Sequence, residues 1–530
     1  MLDIILILVI VSLFGYALFK WGTINDNYFK DRNFPSMKPT FLLGNMGAFM
    51  MKRQTAREFS DSLYNAYPTK KLYGMFAFRE PSLVVRDPDT LKQLTIKDFE
   101  FFEDKQLIGN ESDKLIGKSL IMLKGTKWHD MRSTLSPAFT GSKMRQMFDL
   151  LIENSINMAT EMKKKQTSLE LDMKSLFNKL TIDMTANSAF GIKINSFEDP
   201  NNEFYVMAND LLNFNRPKTI VKFAFMNLLP KLAKFLDIQV FDAEVATFFK
   251  GMVMSNMDTR AKEGIFRPDL INLLMQIRRG EDIQSTATDE NKGTDGFATV
   301  EEFSASKKSN KIQWTDEEIV AQCFLFFFAG FDPISNHLGF TTYELAVNPD
   351  VQQKLFEEIE EVESRLNGKR ITYDQLQKMK YLDMVISESL RKWPPIALTD
   401  RLCVKDYMYE EDGVKLKIRK GMMLAIPSIS LHYDEKYFPK SNDFDPERFN
   451  DENKRNIIPG TYLPFGIGPR NCIGSRYALM QAKVTIYYLV LNFKLLPYEK
   501  TQVPLKLDKT PMGMYTEKGI HLKFEPRDSK

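Results

Sequence analysis

Cysteine, histidine and an excess of either charge are all scarce in this chain of 530 residues. It contains 3 cysteines and 4 histidines, and its 72 basic and 69 acidic residues leave a net charge of +3. Three cysteines cannot build a disulfide framework, and the histidines are too widely spaced to form a zinc-ligand pattern. A nearly neutral chain also lacks the dense basic stripe that displaces phosphate counterions, so we expect no nucleic-acid partner.

Composition places the chain among folded globular proteins, because 43% of its residues are hydrophobic and 27% are charged. Length alone leaves the number of domains open. The stretch 279–311 is rich in Ser, Thr, Gly and charge, and we interpret it as a flexible surface loop. With this one long hydrophilic interruption, we expect a single large body over residues 45–530.

Residues 1–22 contain the one long uncharged run near a terminus, IILILVIVSLFGYALF. A cleaved secretory signal would need a basic region before the run, whereas Asp3 is the charge found there. An uncleaved transmembrane anchor therefore fits better, although a cleaved signal stays open. Basic residues after the run favour a body on the cytoplasmic side. Residues 23–44 hold Pro35, Pro39 and Gly44 and predict a stiff, turning connector.

Hydrophobic periodicity predicts a chain that is mainly α with small β-sheets. Helical patterns occur around 144–165, 351–365 and 374–392. The stretches LYGMFAFREPSLVVRD and KLKIRKGMMLAIPS each predict a pair of strands.

The chemistry is concentrated in PFGIGPRNCIG, which leads into a helix-like stretch. Glycines at 466 and 468 let a backbone lie against a flat ligand. A cysteine at the start of a helix experiences the dipole and amide groups that stabilise a thiolate, so Cys472 is a candidate metal ligand. Taken alone, a single cysteine is more often an inert core residue.

The pattern F-x-x-G-x-R-x-C-x-G, filled by Phe465, Gly468, Arg470, Cys472 and Gly474, resembles the haem-thiolate signature of the cytochromes P-450. The resemblance implies that Cys472 is the proximal ligand to the iron of haem b. It also implies that Phe465 shields the sulfur, that Gly466 lies against the cofactor and that Arg470 pairs with a haem propionate. The implied fold is a helix-rich triangular prism preceded by the transmembrane helix, with 45–530 as the catalytic domain.

Three further motifs are similar to elements of the same family. Glu388 and Arg391 in ESLRKWPP, with Arg448 in FDPERF, match its Glu-x-x-Arg network, for which the resemblance implies a structural role beneath the haem.

Trp128 and Arg132 in KWHDMRSTLSPAF occupy its Trp-x-x-x-Arg spacing, one helical turn apart. The resemblance makes these two residues, together with Arg401 in DRLCVKD, partners of the haem carboxylates.

A long helix is predicted to carry the opposite side of the site. Thr315 and Glu318 form a capping box, and Asn348-Pro349 ends a run of roughly 32 residues, about 48 Å long. Its AGFD resembles the family's oxygen-binding segment. The resemblance implies that Ala329 and Gly330 leave room above the iron and that Asp332 relays protons.

Pro333 departs from the family pattern, which usually has a threonine directly after that acid. Proline removes a hydroxyl and releases the carbonyl of Ala329 from helical pairing, which kinks the helix. We hypothesise that a water ordered by this carbonyl, with Asp332 or Ser335, replaces the hydroxyl route. The competing interpretation is a peroxide-using enzyme, or an isomerase or dehydratase that needs no reductase.

The 41 Phe and 28 Met residues suit lipophilic ligands, although core packing explains most of them. The chain looks most similar to microsomal, drug-metabolising members of animal and insect type. That resemblance implies a monooxygenase in the endoplasmic reticulum membrane, with membrane lipid around its anchor. It also implies electrons from NADPH through NADPH-cytochrome P-450 reductase, with cytochrome b5 as a further donor. A haem carrier or sensor without enzymatic activity is the third alternative.

Overall fold

The computed structural model describes residues 2–106, 113–164, 168–211, 217–267, 269–279, 296–300, 314–411, 413–510 and 513–527. Helices make up most of this part of the chain, which agrees with the predicted class. The α-helices are α1 (Leu2–Thr23), α2 (Gly47–Met50), α3 (Ala56–Asn65), α4 (Pro88–Lys92), α5 (Gly125–Leu135), α6 (Gly141–Lys163), α7 (Met173–Phe190), α8 (Glu203–Leu211), α9 (Pro217–Leu228), α10 (Pro230–Phe235), α11 (Ala243–Glu263), α12 (Leu270–Arg278), α13 (Asp316–Val347), α14 (Pro349–Leu366), α15 (Tyr373–Gln377), α16 (Lys380–Lys392), α17 (Ser428–Tyr433) and α18 (Ser475–Asn492).

The strands form three small sheets in the described residues. The strands are β1 (Leu72–Ala77), β2 (Glu80–Val85), β3 (Leu169–Asp172), β4 (Thr399–Leu402), β5 (Tyr407–Glu411), β6 (Val414–Ile418), β7 (Met423–Ile426), β8 (Phe493–Leu496) and β9 (His521–Pro526). Their orders are β1-β2-β7-β4, β3-β9-β8 and β5-β6.

One predicted strand pair is confirmed and the other is wrong. β1 and β2 pair as an antiparallel hairpin, with Leu72 opposite Val85. β6 and β7 both form, but β6 pairs with β5, while β7 lies between β2 and β4. The pattern explains the difference, because β6 alternates lysine with apolar residues as a hairpin with one solvent-facing side does. The apolar run of β7 suits a central strand covered on both faces.

The helical stretch predicted at 374–392 is two helices, α15 and α16. Met379 between them has an extended backbone, with φ −72° and ψ 102°. Glu358 of α14 accepts hydrogen bonds from the backbone N–H groups of Tyr381 (2.8 Å) and Leu382 (2.9 Å). This carboxylate caps the first turn of α16, so a tertiary contact sets where the second helix starts.

The central helix α13 begins and ends where the sequence predicts. Thr315 and Glu318 form the capping box, and the helix runs for 32 residues to Val347 with Pro333 inside it. Most of α13 is buried, and α7 packs along it. This helix therefore crosses the body of the molecule and carries AGFD in its middle.

Two described helices are long and apolar enough to cross a membrane, and their burial distinguishes them. In α13, 67% of the most apolar window is buried, as in the core helix of a folded body. Residues 3–21 of α1 are exposed, with Phe14 at 69%. An exposed apolar N-terminal helix makes α1 the candidate anchor.

The surface loop predicted at 279–311 lies outside the described residues except for Arg279 and residues 296–300. The short described piece is packed against the body and is not a free loop. Ala298 is buried, and the backbone N–H of Phe297 donates to Asp383 of α16 at 3.0 Å. The ring of Phe297 contacts those of Phe449 and Tyr462, with centroids 5.1 and 5.5 Å apart. The aromatic side chain of Phe297 thus holds residues 296–300 of the hydrophilic stretch against the body of the molecule.

Candidate active site

The loop before α18 is folded by its own backbone. The N–H of Cys472 donates to the carbonyl of Phe465 at 2.9 Å, and that of Asn471 donates to Gly468 at 3.0 Å. Gly466 and Gly468 have φ of +81° and +69°, which a side chain would strain. These turns hold Cys472 in a defined place, three residues before α18 starts at Ser475.

The two glycines differ in what lies beside them. A Cβ on Gly466 would meet only the Cα of Asn471, at 3.8 Å, so this backbone has room for a flat ligand. A Cβ on Gly468 would lie 2.3 Å from the carbonyl oxygen of Thr95. The expectation that both glycines face a ligand is therefore corrected for Gly468, whose missing side chain admits another part of the chain.

Cys472 is enclosed by the protein without being packed against it. Its side chain is exposed, yet burial raises the pKa of its thiol, while the Gly474 backbone amide and the charges of Arg132 and Lys105 act in the opposite direction. A sulfur in such a place has room for a partner and lies away from bulk water. Binding a metal removes the thiol proton outright, so this environment fits a metal-ligating cysteine.

Arg132 and Trp128 of α5 lie beside the cysteine loop. Both terminal nitrogens of Arg132 bond to Asn471, at 3.0 Å to its carbonyl and 2.9 Å to its Oδ1. Trp128 is buried and stacks under the guanidinium of Arg470, 4.2 Å from the ring centroid. The predicted Trp-x-x-x-Arg pair thus contacts Arg470 and Asn471, the two residues directly before Cys472.

Arg470 and Arg401 are buried guanidinium groups held largely by backbone carbonyls. Arg470 donates to Glu103 at 2.8 Å and to Leu123 at 2.6 Å, and it pairs with Asp104 at 3.3 Å. Arg401 donates to the carbonyls of Asp400 at 2.8 Å and Ile467 at 2.6 Å. Its Nε is buried and has no hydrogen-bond partner in the described part of the chain.

In the part of the chain that the structure describes, cations outnumber carboxylates around Cys472. Burial lowers the pKa of Arg401 and of Arg470 to about 10 each, and that of Lys105 to about 8. The charges of Arg401 and Arg470 lower the pKa of Lys105 further, whereas the charge of Asp400 opposes them. Buried cations need counter-charges. An orphaned Arg401 Nε and a surplus of positive charge fit the two carboxylates of a haem. Lys105 is a member of this group that sequence analysis missed.

Glu388 of α16 lies at the centre of a buried ionic network. Its carboxylate bonds Arg391 at 2.6 and 2.8 Å and Arg448 at 3.3 Å, and both Glu388 and Arg391 are fully buried. Arg448 also donates to the carbonyls of Pro439 and Lys440. The structure therefore brings together the three residues assigned to the Glu-x-x-Arg element.

His432 connects that network to the cysteine loop, and sequence analysis missed this role. Its Nδ1 lies 2.9 Å from the carbonyl of Arg391, and its Nε2 accepts the N–H of Leu463 at 2.7 Å. Burial, assisted by the charge of Arg391, lowers the pKa of His432 to about 3, so the ring is neutral. A neutral ring that donates through Nδ1 and accepts at Nε2 satisfies both contacts.

On α13, Ala329 and Gly330 differ in their surroundings. Ala329 is exposed although its helix is mostly buried, which agrees with the room expected there. A Cβ on Gly330 would lie 3.2 Å from the side chain of Thr185, whose hydroxyl donates to the Gly330 carbonyl at 3.2 Å. The missing side chain of Gly330 therefore allows α7 to approach α13, and the expectation that this glycine leaves room above the iron stays a prediction.

Asp332 and Ser335 lie in a polar cluster between α13, α7 and the C-terminal segment. Asp332 accepts from Lys174 at 2.6 Å and from Tyr515 at 3.0 Å. Ser335 accepts from Lys174 at 2.9 Å and donates to Asn178 at 2.7 Å. No sequence motif near Lys174 or Tyr515 indicates a role in a site, so this cluster could not be predicted from the sequence.

Phenylalanines of α13 and Phe102 belong to separate core clusters in the structure. Phe324, Phe327 and Phe331 of α13 are fully buried, and the first two pack against phenylalanines of neighbouring helices, as core residues do. Phe102 belongs to a different core cluster, beside Tyr407. The phenylalanine content therefore reflects core packing to a large extent.

Comparison with known proteins agrees with this arrangement. The family model described as cytochrome P450 matches residues 35–524. The chain is 40% identical over 531 residues to probable cytochrome P450 9f2 of Drosophila melanogaster, covering 98% of this chain and 99% of that protein. It is 41% identical to cytochrome P450 9e2 of Blattella germanica, covering 96% of each. It is 33% identical to cytochrome P450 6k1 of the same cockroach, covering 98% of this chain and 96% of that one.

The chain therefore belongs to the cytochrome P450 family. It is an oxidoreductase of the monooxygenase class, and its family uses haem.

Proposed function

We propose that this chain is a membrane-anchored monooxygenase that inserts one oxygen atom from O2 into lipophilic small molecules, with electrons that originate from NADPH. The observation that carries the proposal is the placement of Cys472 near the positive charges of Arg132 and Lys105, with the buried Arg401 Nε, which has no hydrogen-bond partner among the described residues, in the same group of cations. Cys472 would hold the haem iron, and Arg401, with Lys105 beside it, would pair with the haem carboxylates. Arg132, Arg470 and Trp128 hold the loop around the cysteine.

When bound, haem supplies the iron centre at which O2 is reduced and activated. Phe465 shields the Cys472 sulfur, and Gly466 leaves room beside the cofactor. Glu388, Arg391 and Arg448 hold the supporting network. The complete burial of Glu388 and Arg391 suits a structural role, since removing either partner would leave a buried charge unpaired.

The residues around the AGFD segment of α13 hold and move protons. Ala329 leaves space, and Pro333 cannot donate to the Ala329 carbonyl, which is therefore open to a water. The bond from Thr185 to the neighbouring Gly330 carbonyl supports the idea that backbone acceptors here take donors from outside the helix. Asp332 carries protons towards this space, and Ser335 belongs to the same polar cluster.

The membrane part of the proposal rests on α1 and on a second apolar surface. Residues 1–22 anchor the chain in the endoplasmic reticulum membrane. Residues 23–44 connect this anchor to the catalytic domain, residues 45–530, which faces the cytoplasm. Near α9 and α10, the exposed apolar side chains of the described residues include Val221, Leu232, Phe235 and Leu236. Such a surface suits contact with lipid, where hydrophobic substrates dissolve.

NADPH-cytochrome P450 reductase is the proposed electron donor, with cytochrome b5 as a second. Docking near Cys472 would use basic residues of α5, α6 and α18, namely Lys127, Lys143, Arg145 and Arg476. Lys127 is exposed, which suits this contact, whereas Arg145 already pairs with Asp374 at 2.8 Å.

Reconstitution with the reductase tests the proposal. NADPH consumption, oxygenated product and released peroxide are measured together for a panel of lipophilic compounds. We expect substrate-dependent product formation. Turnover only with added hydroperoxide, or rearranged product without reductase, would instead establish the alternative that Pro333 favours, a reductase-independent enzyme.

A further inference from the structure

The carboxylate of Asp332 is held on both sides by residues from outside its own helix. Its Oδ1 accepts from the Nζ of Lys174 on α7 at 2.6 Å, and its Oδ2 accepts from the hydroxyl of Tyr515 at 3.0 Å. The Asp332 side chain is 9% exposed and that of Lys174 is 30% exposed. A buried acid thus has two half-buried partners from outside its own helix, one a cation and the other a neutral hydroxyl group.

Tyr515 is presented by a turn near the C-terminus. The N–H of Asp508 donates to the Tyr515 carbonyl at 2.8 Å, and that of Glu517 donates to Lys506 at 2.9 Å, so the two sides of the turn are paired. A Cβ on Gly513 would lie 3.0 Å from the Tyr515 ring. The absence of a side chain at 513 therefore lets the ring lie against the turn, with its hydroxyl directed at Asp332.

The remaining contacts complete the surroundings of the acid. Lys174 also donates to Ser335, and Asn336 of α13 donates to Asp332 Oδ1 at 3.4 Å. Within the described residues, the charged and titratable groups that contact Asp332 are Lys174 from α7 and Tyr515 from the C-terminal turn. No other element contributes a charged contact to this carboxylate in that part of the chain.

We propose that Tyr515 is a positioning residue of the Asp332 proton relay and that Lys174 is its proton donor, with Tyr515 providing a hydroxyl where Pro333 has removed one from the helix. Lys174 provides the connection to solvent. This inference rests on the proposed function, since it assigns partners to the relay that the proposed function places at Asp332.

The two partners act differently. Burial, together with the Asp332 charge and hydrogen bond, raises the pKa of Tyr515, so its hydroxyl keeps its proton and orients the carboxylate. The proton that Asp332 takes up comes from the Lys174 ammonium group. An N–H bond breaks as an O–H bond forms on the carboxyl group, and solvent returns a proton to the amine. No electrons are transferred in this step.

Single substitutions with a matched control test the inference. Tyr515→Phe removes only the hydroxyl, and Lys174→Met removes the ammonium group. Lys179→Met, on the same helix and also half-buried, is the control. The share of NADPH electrons recovered in product is measured against pH, with the solvent isotope effect on product formation. Substrate dissociation constants and the haem-thiolate absorption band report whether each variant is folded.

We plot the share of NADPH electrons recovered in product against pH. We expect the acidic limb of this curve to shift to higher pH by about one unit in both variants. A carboxylate that has lost a hydrogen-bond donor binds a proton more readily and becomes a poorer acceptor. Lys179→Met should follow the wild-type profile, and Lys174→Gln replaces Lys174→Met if the latter loses the thiolate band.

The Asp332→Asn variant distinguishes an error in the roles of Lys174 and Tyr515 from an error in the proposed Asp332 relay itself. If Asp332→Asn uncouples the enzyme while Tyr515→Phe and the Lys174 variants keep the wild-type profile, the inference is wrong and the relay stands. If Asp332→Asn leaves coupling and its pH profile unchanged, the relay proposed at Asp332 is itself wrong.

Discussion

Arg132 holds Asn471 with both ends of its guanidinium group, at 3.0 Å to the backbone carbonyl and 2.9 Å to Oδ1. Asn471 directly precedes Cys472, so this bidentate contact ties α5 to the loop that presents the sulfur. Arg132 and Asn471 are both buried, at 3% and 8% exposure. A planar, two-point contact in such a place fixes orientation as well as distance.

Asn471→Ala should therefore weaken haem retention. The change leaves the backbone carbonyl in place but removes the Oδ1 acceptor from a charged donor, which costs about 1.5–3 kcal/mol. Retention is measured as the rate at which apomyoglobin extracts haem from the purified protein. Asn453→Ala, on an exposed turn, serves as the control. Equal extraction rates for wild type and Asn471→Ala would contradict the anchoring role.

His337 should make the protein sensitive to acid. Burial lowers its pKa from the ordinary 6.5 to about 3, and neither ring nitrogen has a partner in the described residues. Below pH 6.5 the unfolded chain binds a proton that the folded chain refuses, so stability falls as the pH drops from 6.5 towards 3. At pH 5 the loss from this group is about 2 kcal/mol.

His337→Leu should remove that part of the acid sensitivity and raise stability at pH 7, because an unpaired buried ring is replaced by an apolar group. Thermal unfolding of wild type and variant between pH 5 and 8 measures both effects. His521→Leu is the control, since His521 is not fully buried and its Nε2 lies 3.1 Å from the Lys518 carbonyl. Parallel pH profiles for wild type and His337→Leu would contradict the prediction.

Phe297→Ala should destabilise the body although Phe297 lies in a hydrophilic stretch. The ring packs on Phe449, next to Arg448, and on Tyr462, whose hydroxyl donates to the Ser387 carbonyl at 2.9 Å. Loss of a half-buried ring costs about 1–2 kcal/mol. Thermal unfolding measures the change, and Phe266→Ala, at 70% exposure, should have little effect. A melting temperature equal to that of wild type would contradict the anchoring of residues 296–300.

Removal of residues 1–22 should leave measurable binding to lipid vesicles. The exposed apolar group on α9 and α10 remains, and Phe235 is its most exposed member at 82%. In the truncated chain, Phe235→Asp should reduce co-sedimentation with vesicles several-fold, because a charge opposes insertion into the interface. Phe266→Asp is the matched control. Full solubility of the truncated chain, or an equal loss with both variants, would contradict the second membrane contact.

Local sequence determined those features whose cause lies within a few neighbouring residues. The capping box at Thr315 and the run behind it predicted the length of α13. The glycine-rich stretch around Cys472 predicted a folded loop that leads into a helix, because its turns are closed by nearby backbone groups. The hairpin of β1 and β2 is local in the same sense.

Only the tertiary structure decided the contacts between distant segments. Tyr515 and Asp332 are 183 positions apart, and Arg132 and Asn471 are 339 apart. The partners of β7 and the close approach of Thr95 to Gly468 likewise depend on how separate segments pack. Hydrophobic periodicity specifies which face of a helix is buried but not which helix covers it. For that reason the sequence identified Cys472 and Asp332, whereas the packing of α7, α13 and the C-terminal turn determined the groups that surround them.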